Sequence, residues 1–238
     1  MKRTPLYAVL VLLAVTSASE AAADDGPGPF GVTVTAAATA ETARVGALFD
    51  GGQHFCTASV VHSPHRDLIV TAAHCLDGDT DDLVFVPGYR NGRAPYGRWR
   101  ITGRFLPDGW DEDSDVAFAT VAERRGEGVE DLVGGNRFTT GTATGATAVT
   151  VTGYPDSRET PVRCTDKPIA HSRTQQRVDC PGFSGGTSGS PWVNGDGEIV
   201  GVLGGHEQGG ATAGISYSVV LGREAARLYR DATESPSA

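Results

Sequence analysis

Short apolar runs broken by glycine-rich turns recur from residue 45 to residue 219, and this spacing excludes most folds. Candidate strands fall at residues 45–49, 55–61, 68–71, 83–86, 98–105 and 115–121, and again at 149–152, 199–203 and 215–219. Val149 and Val151 alternate with Thr150 and Thr152; Ile215, Tyr217 and Val219 alternate with Ser216 and Ser218. Alternation of period two marks a half-buried strand. The 32 glycines among 238 residues, about twice the usual share, favour turns over long helices. Only the C-terminal region reads as a helix: Leu221, Ala225 and Leu228 share one face, and Arg227 and Arg230 suit a helix C-terminus. A charged, glycine-containing stretch at residues 123–135 divides the strands into two groups, which predicts two barrel-like β halves.

The N-terminus predicts export. Lys2 and Arg3 precede an unbroken apolar run at residues 6–15, and Ala21, Ala22 and Ala23 precede Asp24. This is the pattern of a secretory signal peptide, residues 1–23. The apolar run is too short to span a bilayer, which takes about 20 residues. Residues 24–40, rich in Gly, Pro, Ala and Thr, are expected to form a flexible segment or a short propeptide. Cys56, Cys75, Cys164 and Cys180 are an even count in an exported chain and read as two disulfides. Three pairings are open; the sequence-local one, Cys56–Cys75 with Cys164–Cys180, is the simplest. The cysteines lack the close pairs of a zinc site, and no metal or cofactor is expected. A formal charge of −9 argues against general nucleic-acid binding, which needs a surplus of Lys and Arg.

Three segments carry chemistry together that none carries alone. Thr71-Ala72-Ala73-His74-Cys75 follows the apolar strand Leu68-Ile69-Val70. Asp113-Ser114-Asp115-Val116-Ala117-Phe118 brings an acid to the start of a strand. Gly185-Gly186-Thr187-Ser188-Gly189-Ser190-Pro191 places a serine among glycines. Amide hydrolysis needs a nucleophile, a base and a group that orients the base. A serine hydroxyl is almost un-ionised at neutral pH, and His is the natural base for it. Glycines around Ser188 allow a tight turn that aims the amides of Gly186 and Ser188 at one point, an oxyanion hole.

These segments, with Phe55-Cys56-Thr57-Ala58-Ser59-Val60, resemble trypsin-like serine proteases. The Ser before Pro191, with Gly153-Tyr154-Pro155, most resembles the bacterial glutamyl-endopeptidase-like branch. The resemblance covers roughly residues 44–222. It implies an all-β fold of two packed six-stranded antiparallel barrels with a short C-terminal helix. The protease domain is expected at residues 41–230, with a first barrel near 41–125, a second near 140–222 and a polar tail at 231–238. Carried over, His74 is general base then acid, Asp115 orients it and Ser188 is the nucleophile. Asp115 is preferred to Asp113 because it directly precedes Val-Ala-Phe. Ser188 is preferred to Ser184 and Ser190 because of its Gly-Gly-Thr approach and following Gly. Cys56 and Cys75 would bridge the strand before His74 to the turn after it.

The chain departs from trypsin at several points. Thr187 replaces the acid that pairs with a new N-terminus, so activation by that ion pair is not expected. Gly182, followed by Phe183, stands where basic specificity needs an Asp. Leu203, not His, stands where glutamyl endopeptidases place a pocket histidine. Gly204 and Gly205 would leave the pocket wall open, with His206 at its rim or in a loop, and a hydrophobic or medium-sized P1 side chain is expected. Residues 77–82 read as a solvated acidic loop rather than a calcium site, and His62 and His65 as surface residues. The expected protein is a secreted, monomeric serine endopeptidase acting on proteins or peptides, without nucleic-acid partner or membrane association after signal removal. The alternatives are a secreted binding module that keeps the fold with little turnover, and a small esterase.

Overall fold

The structure is a computed structural model that describes residues 29–78 and 82–235. The expected signal peptide, residues 24–28 and part of the 77–82 loop lie outside the described residues. Within residues 24–40, expected as a flexible segment or a short propeptide, β1 (Val32–Thr35) is a strand; α1 (Ala40–Ala43), which follows, is one helical turn closed by a reciprocal cap between Thr39 and Thr42.

Six strands follow: β2 (Val45–Asp50), β3 (Gln53–Val60), β4 (Leu68–Thr71), β5 (Val84–Pro87), β6 (Trp99–Phe105) and β7 (Ala117–Val121). They close into a barrel in the order β2-β3-β4-β7-β6-β5. Strands β4 and β7 are buried at every position. The reason is a second apolar layer. Ile69, Ala117 and Ala119 face the barrel core with Leu48, Phe85 and Trp99. Leu68, Val70 and Phe118 pack outward against Leu221, Ala225 and Leu228. Strands covered on both faces lose their polar alternation.

A short helix, α2 (Val129–Val133), leads into the second half. Its strands are β8 (Arg137–Phe138), β9 (Val149–Gly153), β10 (Val162–Asp166), β11 (Ile169–Ala170), β12 (Gln175–Val178), β13 (Pro191–Asn194), β14 (Glu198–Val202) and β15 (Ser216–Val219). They form a six-stranded sheet, β1-β10-β9-β13-β14-β8, and a three-stranded sheet, β11-β12-β15, linked by a bridge between Leu203 and Ser218. The second half is therefore more open than the first. Its core holds Val151, Cys164, Val178, Cys180, Trp192 and Leu203. The final helix, α3 (Arg223–Glu234), runs into the stretch read as a polar tail. It returns to the first half, and Tyr229 Oη donates to the carbonyl of His62 at 2.6 Å. Among the described residues no helix is long and apolar enough to cross a membrane.

Candidate active site

The two halves meet at His74, Asp115 and the Ser188 loop. His74 lies in a one-turn 3₁₀ helix, Ala73–Cys75, directly after β4. Asp115 lies two residues before β7, which pairs with β4 from Leu68↔Thr120 to Thr71↔Ala117. Adjacent strands thus deliver both side chains to one end of the barrel. His74 Nδ1 lies 2.7 Å from Asp115 Oδ2, and the His74 amide donates to Oδ1 at 3.0 Å. An ionised carboxylate can only accept, so Nδ1 carries the proton and Nε2 is left as the acceptor. Gly205 N donates to Oδ2 at 2.8 Å and Trp110 Nε1 to Oδ1 at 3.1 Å. Asp115 has no solvent exposure (0%). Burial pushes its pKa up, but the hydrogen bond and charge of His74, with the amides of Gly205 and His74, outweigh burial and hold it below the usual aspartate range.

The Ser188 loop docks on the same segment. Thr57 N donates to the Ser188 carbonyl at 2.8 Å, and Thr57 Oγ1 donates to the Gly186 carbonyl at 3.0 Å. Thr57 adjoins Cys56, which is bonded to Cys75, the neighbour of His74. Gly189 sits at φ +85°, and a Cβ there would lie 2.1 Å from both the Thr57 carbonyl and Thr71 Oγ1. Only glycine permits that approach. Within the loop, Thr187 N, Gly189 N and Ser190 N donate to Ser184 O, Leu203 O and Thr187 O. The amides of Gly186 and Ser188 have no backbone acceptor among the described residues. Ser188 Oγ is half-buried and contacts the carbonyl of Gln208 at 3.5 Å.

The rival candidates stand elsewhere. Asp113 Oδ1 accepts from Gln175 Nε2 at 3.0 Å. Ser190 is fully buried, and its hydroxyl donates to Thr187 O at 2.6 Å. Buried Thr187 keeps its hydroxyl within the loop, on Ser184 O at 2.6 Å. Cys56–Cys75 and Cys164–Cys180 are both bonded. Cys56, His74 and Cys75 lie close enough together to suggest metal ligands, but the disulfide leaves no thiolate to bind one. His62 pairs with Glu130 on the surface at 2.7 Å.

The residues expected at the substrate pocket are spread over several environments. Phe183 and Leu203 are buried in the second core. Gly182 is exposed at φ +85°, with its amide on Ala213 O at 2.6 Å. Gly204 N donates to Tyr217 O at 2.9 Å, while Gly205 serves Asp115. His206 forms a three-ring cluster with His171 and Tyr217, meeting Tyr217 edge-on, and its Nδ1 lies 3.2 Å from Glu112 Oε2. Sequence reasoning passed over Thr57, Trp110 and Glu112. Thr57 stands inside the quoted Cys56 motif, which is a local signal; Trp110 and Glu112 carry none.

A closed β-barrel and a second β half, with a buried Asp paired to a half-buried His at their junction and a glycine-held serine loop beside it, define a chymotrypsin-fold protein. A model of the trypsin-like peptidase domain matches residues 56–202, and the chain belongs to that family. Glutamyl endopeptidase of Bacillus licheniformis is 32% identical over 131 residues, a match spanning 52% of this chain and 41% of that protein. The crystal structure of protease Anisep from Arthrobacter nicotinovorans superposes with a TM-score of 0.75 at 25% identity, covering 85% of this chain and 100% of that one. A thermostable serine protease, AL20, from an extremophilic microorganism gives 0.73 at 24% identity over 83% of this chain and 100% of that one. A Glu endopeptidase in complex with MPD gives 0.71 at 18% identity over 88% and 99% of the two chains. The last two likenesses concern the fold alone.

Proposed function

We propose that this protein is a secreted serine endopeptidase that works through an acyl-enzyme. The observation that carries the reading is buried Asp115 paired to His74, with Nε2 left as acceptor, beside a serine loop hydrogen-bonded to the same segment. Ser188 Oγ turns from Gln208 O to His74 Nε2, gives up its proton there and attacks the scissile carbonyl carbon. The carbonyl oxygen becomes an oxyanion held by the amides of Gly186 and Ser188, neither of which has a backbone acceptor among the described residues. His74 then passes the proton to the leaving amine, the C–N bond breaks, and water repeats the sequence to release the acid and restore Ser188. Thr187 offers no carboxylate to a new N-terminus, so activity does not wait on that ion pair. The two disulfides suit an exported chain.

A medium-sized apolar P1 side chain fits this chain better than an acidic one. Leu203, buried in the second core, brings no charge to meet a carboxylate, and His206 is already engaged by Glu112. Digestion of a proteome-derived peptide library by the mature protein, beside Ser188→Ala, tests both statements. Cuts that disappear in the variant, mainly after apolar residues, are expected. No cuts from folded, oxidised protein would move the reading to a binding module, and cuts confined to Glu would overturn the pocket assignment.

A further inference from the structure

The β6–β7 loop does more than lead into Asp115. Ser114 and Asp111 brace it: Ser114 N donates to Asp111 O at 3.2 Å and Asp111 N to Ser114 Oγ at 3.1 Å. From this brace Glu112 Oε1 accepts from the amide of Glu207 at 3.0 Å, and Asp113 reaches Gln175. Both contacts cross to the second half. Trp110 turns the other way and donates its indole N–H to Asp115 Oδ1.

That bond completes the carboxylate. A carboxylate has roughly four acceptor positions, and Asp115 meets four donors: His74 N, His74 Nδ1, Gly205 N and Trp110 Nε1. Two are backbone amides, and His74 is the base itself. Trp110 is the one donor whose removal leaves main chain and base untouched. The wall at Gly204 has no room for a substitute, because a Cβ there would lie 2.7 Å from Asp115 Oδ2. An Asp carboxyl turns broadly about its last side-chain bond, so a second donor on Oδ1 resists the rotation that would carry Oδ2 away from His74.

Resting on the endopeptidase reading, we propose that Trp110 is a positioning residue for the Asp115–His74 pair, acting through its indole N–H. Trp110 is 40% exposed, so Trp110→Phe keeps most of the packing and removes the donor. Losing a hydrogen bond to a charged group lowers kcat about 10-fold. KM on a peptide substrate chosen from the library stays within about twofold, because no contact to substrate is lost. The acidic limb of the kcat/KM profile moves to higher pH, because Asp115, with one donor fewer, holds a protonated base more strongly. Trp110→Ala adds little further loss in kcat. A KM rise at constant kcat would make Trp110 a substrate wall and overturn the proposal. So would a silent Trp110→Phe beside a damaged Trp110→Ala, which would indicate packing alone.

A second measurement needs no turnover. In Ser188→Ala protein, adding Asp115→Asn should shift the indole N–H resonance of Trp110 more than those of Trp99, which bonds Tyr96 O at 3.0 Å, and of Trp192. Equal shifts overturn the proposal. An inactive parent that nevertheless shows the selective Trp110 shift would remove the endopeptidase reading and leave the hydrogen bond standing.

Discussion

The two sides of the site are held by different means. On the first-half side, His74 and Asp115 stand at the ends of paired strands in a closed barrel, fixed by four hydrogen bonds to one carboxylate. On the second-half side, Ser188 stands in a loop whose path depends on backbone conformations, with Gly182, Gly186 and Gly189 all at positive φ. Among the described residues its hydroxyl has only a long contact to Gln208 O. The proposed base is therefore held through one buried carboxylate that backbone and side-chain donors share at the ends of paired strands, and the proposed nucleophile by main chain that only glycine follows without strain. Damage to the first should be local and graded, and damage to the second should reach the backbone.

The sharpest break of that contrast is Gly189→Ala. Strain from positive φ and collision with main-chain oxygen should together cost about 3 kcal/mol or more, and activity should disappear with it. Gly195→Ala is the control, since a Cβ there meets nothing within 4 Å. Urea unfolding of the two variants measures the difference. Equal midpoints would show that the loop yields, and that glycine is not what holds Ser188.

The same contrast explains what could be read in advance. His74, Asp115 and Ser188 sit in contiguous motifs, and Ala225 and Leu228 announce α3 through local spacing, although Leu221 of the same face lies two residues before the helix. Val32 and Val34 do not announce β1: they are 46% and 51% exposed, and the strand exists because it pairs with β10, more than a hundred residues away. Nor could the open second half be foreseen, because β11, β12 and β15 look locally like any other short strands. Trp110 and Glu112 were hidden for a related reason. Their partners depend on how one loop folds back, which leaves no period or motif in the chain.

Next in size are the disulfides, which sharpen the comparison by separating stability from function. Cys56–Cys75 spans 19 residues and Cys164–Cys180 spans 16, so loop closure gives each about 3 kcal/mol. Replacing either pair by Ser should lower the unfolding midpoint by similar amounts. Loss of Cys56–Cys75 should also lower kcat in the folded fraction, because Cys75 is the neighbour of His74 and Cys56 of Thr57. Loss of Cys164–Cys180 should act more weakly there, since that bridge ties β10 to the chain ahead of the nucleophile loop. A greater kcat loss from the second bridge would reverse the assignment of which half holds the base.

The smallest effect concerns the seam between the halves. The Glu207 amide and His206 hold Glu112 below its ordinary pKa, and Gln175 and Thr174 do the same for Asp113. With Asp115, three carboxylates on one loop favour the folded state when ionised. A carboxyl group with a depressed folded pKa stabilises fully above its unfolded value, near about 4, and that contribution is lost as pH falls through the folded value. Stability should thus be flat above about pH 5 and fall below about pH 4. Because Glu112 and Asp113 bond residues of the second half, hydrogen exchange in acid should quicken first in β12 and β15, while β4 and β7 stay protected. The double variant Glu112→Gln, Asp113→Asn should flatten part of the acid slope and leave the Asp115 part. An unchanged slope would place the acid-sensitive groups elsewhere and leave the seam to backbone contacts such as Thr57 N to Ser188 O.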